Sequence, residues 1–311
     1  MESNEYTLEI KNLNKSFKKN KALNDLSFKV KKGELFGFLG LNGAGKTTTL
    51  SIILGITKKD SGQIIVDGHD LDKSNAHEIN RKIGIVFQES ILDGKLTVYD
   101  NLMSRAAMYK KYFKDTPVEN LVQDVINDFQ LQDLLKKSYA SLSGGQRRRV
   151  DIARSLVHKP EILFLDEPTT GLDPNSRELV WSILKKIQAE RHLTILLTTH
   201  YMEEANFCNY AIILQKGHKL AEGTPAELKN QYSKTKVIIY QEQNSVLEKI
   251  IADNGGTMSY INKRYIVEFA SNQAAQSFVM KFGPILSDFE LIKGSMDDVF
   301  LNVTKNNKEG K

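Results

Sequence analysis

The chain has 311 residues, enough for one large domain or a large one with a small companion, and 41% apolar with 26% charged residues fits a globular protein with a sizeable core. A net charge of +5 is mild, the single Cys208 excludes a disulfide framework or cysteine metal site, and no apolar run approaches the roughly 18 residues of a membrane span. Met1–Glu5 is polar and acidic, unlike a secretory leader, so the expected location is cytosolic, with any membrane role exerted through a partner.

Eight lysines between Lys11 and Lys32 read as a solvated surface on short strands and turns, with nucleic acid or a lipid surface as the alternative. The six histidines (His69, His77, His158, His192, His200, His218) show no metal-ligand spacing. Tyr6–Ile10, Leu26–Val30 and Gln63–Asp67 read as strands of a small β layer, the last closed by the hairpin pair Asp67-Gly68. Phe17 is expected in a polar loop between the first two, as a core plug or as a stacking platform for a base.

The apolar run Leu35–Leu39 leads into Gly40-Leu41-Asn42-Gly43-Ala44-Gly45-Lys46-Thr47-Thr48 and then an apolar helix. Strand, glycine-rich loop and helix start are what a phosphate-binding loop requires. Glycines let backbone N–H groups curl around phosphate oxygens, and the helix start adds unpaired N–H groups and its positive dipole end. Lys46 can bridge the β- and γ-phosphates, and the Thr47 hydroxyl can ligate Mg²⁺. A plain glycine turn is the alternative.

Ile83–Phe87 is another strand, ending at Gln88, after which the pattern is helical to about Lys159. Thr97 and Asp100 suggest the start of a Val98–Phe113 helix. Thr116-Pro117-Val118-Glu119 reads as a capping box with proline at the first helical position, followed by an apolar face through Phe129. Leu142-Ser143-Gly144-Gly145-Gln146 opens a further helix, as a second anion site or as an ordinary N-cap, and Arg147–Arg149 read as surface positions on it, with contact to phosphate or nucleic acid as the alternative. Ile162–Leu165 has the continuous apolar character of a buried parallel strand and ends in Asp166-Glu167. There Asp166 would hold Mg²⁺ and Glu167 would orient or deprotonate the attacking water.

Gly171-Leu172-Asp173-Pro174 gives a turn with Asp173 capping a helix to about Arg191, and Leu193–Thr198 is a buried strand with His200 at its carboxyl end, where open α/β sheets bind ligands. Tyr210–Leu214 and His218–Ala221 form a hairpin, and Thr224-Pro225-Ala226-Glu227 is a capping box. Ser233–Thr235 is the expected linker. Beyond it the strand, helix, strand, strand, helix, strand order is that of a ferredoxin-like unit, closed by a helix over Asp297–Val303. The expected domains are 1–232 (helical subdomain about 89–159) and 236–304 (a small α+β domain), with 305–311 a frayed tail.

Six motifs in this order resemble the ATPase subunit of an ABC transporter from Tyr6 to about Glu227. Gly40–Thr48 corresponds to Walker A, Gln88 to the Q-loop, Leu142–Gln146 to the signature motif, Ile162–Asp166 to Walker B, Gly171–Pro174 to the D-loop and His200 to the H-loop. Leu41 stands where a proline is frequent. Glu34–Gly40, Thr198–Ala205 and Met296–Leu301 further resemble multidrug and daunorubicin-resistance-type exporter ATPases, which carry a C-terminal domain of about this size.

The resemblance implies a P-loop NTPase core with an antiparallel β layer and a helical subdomain, ATP and Mg²⁺ as cofactors, and coupling of ATP hydrolysis to transport. It implies catalytic roles for Glu167, His200, Lys46 and Gln88, nucleotide contacts by Phe17, Asn42–Thr48, Ser143–Gln146 and Asp173, and Mg²⁺ contacts by Thr47, Gln88 and Asp166. Two copies, or this chain and a paired ATPase, would enclose each ATP between one P-loop and the other's Ser143–Gln146. A separate transmembrane permease would dock near Glu89–Tyr99 and the exposed face of 98–113, holding the chain at the cytoplasmic face of the membrane, with no nucleic acid bound. The cargo would be a drug, antibiotic or other amphipathic compound. The alternatives are an importer ATPase and a soluble ABC protein acting on ribosomes or DNA.

Overall fold

A computed structural model describes residues 5–73 and 76–309 of the chain, leaving 1–4, 74–75 and 310–311 outside the description. Two compact units emerge, one ending at Lys219 and the other beginning at Leu220.

In the first unit, β1 (Tyr6–Phe17) pairs antiparallel with both β2 (Asn20–Lys31) and β4 (Ser61–Val66), and β4 turns through Asp67-Gly68 into β5 (His69–Asp70). Both turn residues have positive φ, the backbone that a two-residue hairpin demands. β1 and β2 are longer than the sequence suggests, because register shifts let the lysine- and asparagine-rich stretches stay paired. Phe17 is therefore the last residue of β1, opposite Asn20, rather than part of a loop.

β3 (Leu35–Leu39), β6 (Ile83–Val86), β7 (Ile162–Asp166), β8 (Thr194–Thr199) and β9 (Tyr210–Gln215) form a sheet ordered β9-β3-β8-β7-β6, with every neighbour pairing parallel. Its strands are apolar on both faces, and the residues alternate between two cores. Phe36, Phe38, Phe164, Leu196 and Ile212 point toward the antiparallel layer and α1 (Lys46–Ile53). Leu35, Leu163, Leu165, Ile195 and Leu197 point toward the helices. β10 (His218–Gly223) follows β9 through the Lys216-Gly217 turn, and the division between the units falls inside it.

The stretch between β3's helix and β6 includes a short helix, α2 (Ala76–Arg81), that sequence reading did not anticipate. The helical part holds α3 (Val98–Ala107), α4 (Val118–Asp128) and α5 (Gly144–Leu156), and α6 (Pro174–Arg191) follows β7. Thr97 caps α3 as expected, its Oγ1 accepting from Asp100 N at 3.1 Å. The helix stops at Ala107, however, and Lys110–Tyr112 form a separate 3-10 turn. The Thr116–Glu119 capping box does not form. Pro117 itself is the N-cap, with φ −55° and ψ 139°, and its ring offers no side-chain acceptor to the first turn.

In the second unit, β11 (Thr235–Ile239), α8 (Ser245–Asp253), β12 (Thr257–Ile261), β13 (Arg264–Phe269), α9 (Asn272–Phe282) and β14 (Phe289–Ile292) form an antiparallel sheet ordered β12-β13-β11-β14, the ferredoxin-like arrangement. Val237, Ile239, Val267 and Phe269 share its core with Leu247, Ile251 and Phe278 of the helices. α7 (Pro225–Tyr232) begins in the anticipated capping box, with Thr224 and Glu227 bonded reciprocally. It belongs with this unit, not with the first as the 1–232 boundary had it, because it packs on α10 (Met296–Glu309), where Asn302 Nδ2 donates to Tyr232 O at 2.8 Å. Thr235 is buried in β11 rather than lying in a linker, and α10 continues through residues expected to be a frayed tail.

One buried group makes the first unit sensitive to acid. His158 stacks on Tyr109 with ring centroids 4.2 Å apart, its Nε2 is 3.1 Å from Ile83 O, and its Nδ1 has no partner. Burial pushes its pKa down to about 4, against 6.5 for a free imidazole. Between those values the unfolded chain binds a proton that the folded chain refuses, so stability falls as pH falls through this window, by up to about 3 kcal/mol. Urea midpoints should therefore drop between about pH 7 and pH 4.5, and His158→Gln should flatten that drop. Equal pH slopes for the two proteins would show that His158 is not the sensitive group.

Candidate functional site

The parallel register sets where the loops meet. Leu39 lies opposite Thr199, Asp166 opposite Thr198, and Val86 opposite Leu165, so β3, β8, β7 and β6 all end along one edge of the sheet. Ligands of open α/β sheets bind at such carboxyl edges.

After β3, the loop curls through Gly43 at φ 80° and Gly45 at φ 108° before α1 begins at Lys46. A Cβ at Gly45 would lie 2.7 Å from Leu23 Cδ2 and 2.8 Å from Ala22 O, so neither the backbone angle nor the space admits a side chain. No side chain caps α1, which leaves its first amides to a ligand. Lys46 is buried and folds back over the loop, Nζ donating to Gly40 O at 2.6 Å and Leu41 O at 3.3 Å. Burial lowers its pKa, opposed by Glu167 and then Asp166. Asn42 and Gly43 are exposed at the loop's crest, Ala44 and Gly45 are buried beneath it, and Thr47 and Thr48 start the helix facing outward.

Two strands away, Asp166 accepts from Thr198 Oγ1, and its carboxylate oxygens lie 3.3 and 3.4 Å from Thr47 Oγ1. That spacing exceeds a good O–H···O bond and sets two oxygen donors side by side. An all-oxygen set with few protein ligands suits Mg²⁺, which keeps waters and shares itself with phosphate. Among the described residues no cluster of three or more His, Cys, Asp or Glu side chains could form a complete protein cage.

Glu167 sits at φ 46°, an uncommon left-handed conformation for a glutamate, and its N–H donates to Thr198 O and Oγ1 at 3.2 and 3.1 Å. The turn aims the side chain back across the sheet edge. Its Oε2 accepts from Thr170 Oγ1 at 3.1 Å and Gln88 Nε2 at 3.4 Å. Its Oε1 lies 3.2 Å from His200 Nδ1 and 4.0 Å from Lys46 Nζ. Lys46, Gln88 and His200, far apart in sequence, thus meet around the Glu167 carboxylate.

Ser143 caps α5 in a full box: its Oγ accepts from Gln146 N at 3.3 Å, and Ser143 N donates to Gln146 Oε1 at 3.0 Å. Gly144 is exposed, and a Cβ at Gly145 would collide with Ser176, which seats this turn against the start of α6. Asp173 caps α6, accepting from Ser176 N at 3.0 Å. Among the described residues, no hydrogen bond or ion pair joins Ser143–Gln146 to residues 40–48. Phe17 is half exposed, with the Lys15 ammonium 5.1 Å from its ring centroid.

Thr170, Thr198 and the inward turn of Arg148 escaped the sequence reading. Thr198 links Asp166 to the Glu167 amide, and its place at the end of a buried strand beside His200 was the available signal. Arg148 is buried, not a surface arginine, and donates to four backbone carbonyls. Its spacing four residues before buried Ile152 placed it on the inner face of α5. Arg149 also turns inward in part, to Phe129 O and Gln130 O at 3.1 and 3.2 Å.

Residues 23–170 match the family described as ABC transporter. The chain is 34% identical over 309 residues to Nod factor export ATP-binding protein I of Cupriavidus pinatubonensis, covering 96% of this chain and 90% of that protein. It is 35% identical over 303 residues to the protein of the same description from Rhizobium johnstonii, covering 96% and 94%. Among solved structures, cbiO1 from Clostridium perfringens, part of the ABC transporter complex cbiONQ, superposes with TM-score 0.66 at 31% identity over 72% of this chain and 90% of that one. A dimeric ATP-binding cassette in a post-hydrolysis state bound to ADP and Pi gives TM-score 0.63 at 29% identity over 70% and 98%. The chain belongs to the ABC transporter family, as an ATP-binding subunit with ATPase activity.

Proposed function

We propose that this ATPase works as one of a pair closed around two ATP molecules, and that the pair drives a separate membrane permease exporting an amphipathic compound. The observation that carries the hydrolytic part is the setting of Glu167, a buried carboxylate faced by Lys46, Gln88, Thr170 and His200. A carboxylate so held can orient the attacking water and take its proton. Lys46, released from Gly40 O and Leu41 O, turns its charge to the β- and γ-phosphates, and the free amides of α1 add donors. Thr47, Asp166 and Gln88 would hold Mg²⁺, which neutralises phosphate charge when bound. His200 stands where it can hold the γ-phosphate, and Phe17 offers an exposed ring on which adenine can stack.

Pairing is supported by the separation of the two anion-binding helix starts. Ser143–Gln146 faces outward without touching its own P-loop, so a second chain can bring it to this one's nucleotide, with Asp173 beside the joint. The dimeric neighbour bound to ADP and Pi agrees with this reading. Export is supported by the full-length relatives named for Nod factor export. No helix among the described residues is long and apolar enough to cross a membrane, so a permease would supply the span. Exposed Ile91, Leu96, Tyr99 and Met108 offer it an apolar docking surface. The chain would then sit at the cytoplasmic face of the membrane.

Glu167→Gln should cut ATP turnover about 100-fold or more while preserving nucleotide binding and an ATP-dependent dimer in size-exclusion runs. Unchanged turnover would remove Glu167 from its role. Lys46→Ala should weaken ATP affinity or turnover about tenfold or more by deleting the charge on the phosphates. Survival of both properties would refute the P-loop assignment. Vesicles loaded with the permease and this chain test direction: ATP-driven movement of cargo toward the side bearing the ATPase would sink the exporter reading.

A further inference from the structure

β6 is the edge strand of the parallel sheet, and among the described residues no strand donates hydrogen bonds to its outward carbonyls. Side chains of α5, and His158 just beyond its end, fill that place. His158 Nε2 lies 3.1 Å from Ile83 O, Arg154 donates to Ile85 O at 3.0 Å, and Arg148 donates to Phe87 O at 2.7 Å. The spacing matches: ten helical residues rise about 15 Å, and four strand residues about 13 Å. The helix runs against the strand, so its first turns, next to Ser143, reach the strand's carboxyl end, next to Gln88.

Arg148 does more than close an edge. Its Nε donates to Pro168 O at 2.7 Å, and its third nitrogen donates to Asp166 O at 2.8 Å and Glu167 O at 3.0 Å. Three consecutive carbonyls converge on one guanidinium, at the turn where Glu167 takes its positive φ. One helical turn later, Asp151 accepts from Ser90 Oγ at 2.7 Å and Tyr139 OH at 3.0 Å. The backbone around Gln88 is thus held on both sides, at Phe87 and at Ser90, by α5. Only the planar fork of arginine meets carbonyls of both loops at once, and a lysine ammonium has no such reach.

We propose that Arg148 is a positioning residue for ATP hydrolysis, clamping the turn that carries Glu167 and the strand end that carries Gln88 to the first turns of the helix that Ser143 caps. The guanidinium gives its hydrogen bonds to backbone carbonyls of both loops; it acts through Glu167 and Gln88, and the inference rests on the role proposed for Glu167. Through it, a displacement of the Ser143–Gln146 turn is passed to the carboxylate that faces the reacting water. Arg154 and His158 hold the same strand further from the site and serve the edge alone.

The test is steady-state ATPase kinetics of the full chain carrying Arg148→Lys, Arg154→Lys, Ser90→Ala or Glu167→Gln, with the unsubstituted chain alongside, well below each protein's melting temperature. Arg148→Lys should lower kcat about tenfold or more with KM for ATP within about twofold, because the nucleotide's own contacts are untouched. Arg154→Lys, which removes an equally buried arginine from the same helix, should leave kcat within about twofold. Ser90→Ala deletes one partly buried hydroxyl without disturbing the core and should lower kcat about threefold at constant KM, so the clamp remains testable if Arg148→Lys does not fold. Unchanged kcat in Arg148→Lys, unchanged kcat in Ser90→Ala, or an equal loss in Arg154→Lys overturns the proposal. If Glu167→Gln abolishes turnover in the same series, that failure belongs to the clamp alone; full turnover by Glu167→Gln would overturn both readings.

Discussion

The parallel register of β3, β8, β7 and β6 is the constraint from which the site follows. Adjacent strands lie about 4.8 Å apart, so β3 and β7 are separated by about twice that with β8 between them. This is why Thr198, at the end of β8, is the residue that touches Asp166, and why the long Lys46 side chain is needed to approach Glu167. The register is fixed by packing on both faces. A slip of one residue would exchange Phe164 and Leu165 between two cores built for different shapes, and would carry Asp166 away from Thr47. The geometry of this sheet edge is a by-product of core packing some distance below the loops.

Charge burial at the sheet edge shows the same dependence. Lys46, Arg148, Asp166 and Glu167 are all buried, an arrangement that is unfavourable unless each charge finds partners. Burial lowers the pKa of Lys46 and of Arg148, and in both cases nearby carboxylates oppose it. The two cations are satisfied differently. Arg148 has four short backbone acceptors and nothing to gain by moving, whereas Lys46 has two, one of them at 3.3 Å, and a carboxylate only at 4.0 Å. The arginine is therefore fixed scaffold, and the lysine is the cation held by fewer and longer contacts.

How much of this could be read from the sequence depended on whether local pattern or tertiary contact set each feature. The continuous apolar runs of β3, β7 and β8, the glycines of the P-loop and the caps at Thr97, Ser143, Asp173 and Thr224 are local, and each stands where its residues imply. Phe17 was misplaced because β1 and β2 absorb irregularities that no alternation pattern reveals. Pro117 resembled a first helical residue, yet its extended ψ made it the cap itself. Arg147–Arg149 looked like one solvated run, although Arg148 lies on the buried stripe of α5. Only the convergence of carbonyls from two distant segments, Phe87 and Asp166–Pro168, makes that burial tolerable, and that convergence is tertiary. The limit between the two units was equally invisible, because it turns on α7 choosing α10 as its neighbour.

The Ser143 capping box bears on how the proposed pair of chains would close. The first amides of a helix have no intrahelical acceptors, and the box satisfies Gln146 N and Ser143 N within the chain while Gly144 and Gly145 bring no side chain to obstruct the turn. The turn is also braced by Ser176 of α6, which fills the space that a Cβ at Gly145 would need. A phosphate delivered on a second chain's P-loop would therefore meet donors already in place, and little ordering cost would fall on the closing step. What remains to be supplied by closure is the approach of the two chains. That approach is the motion a permease could sense, because the same helix start is tied through α5 to the strand end before Gln88.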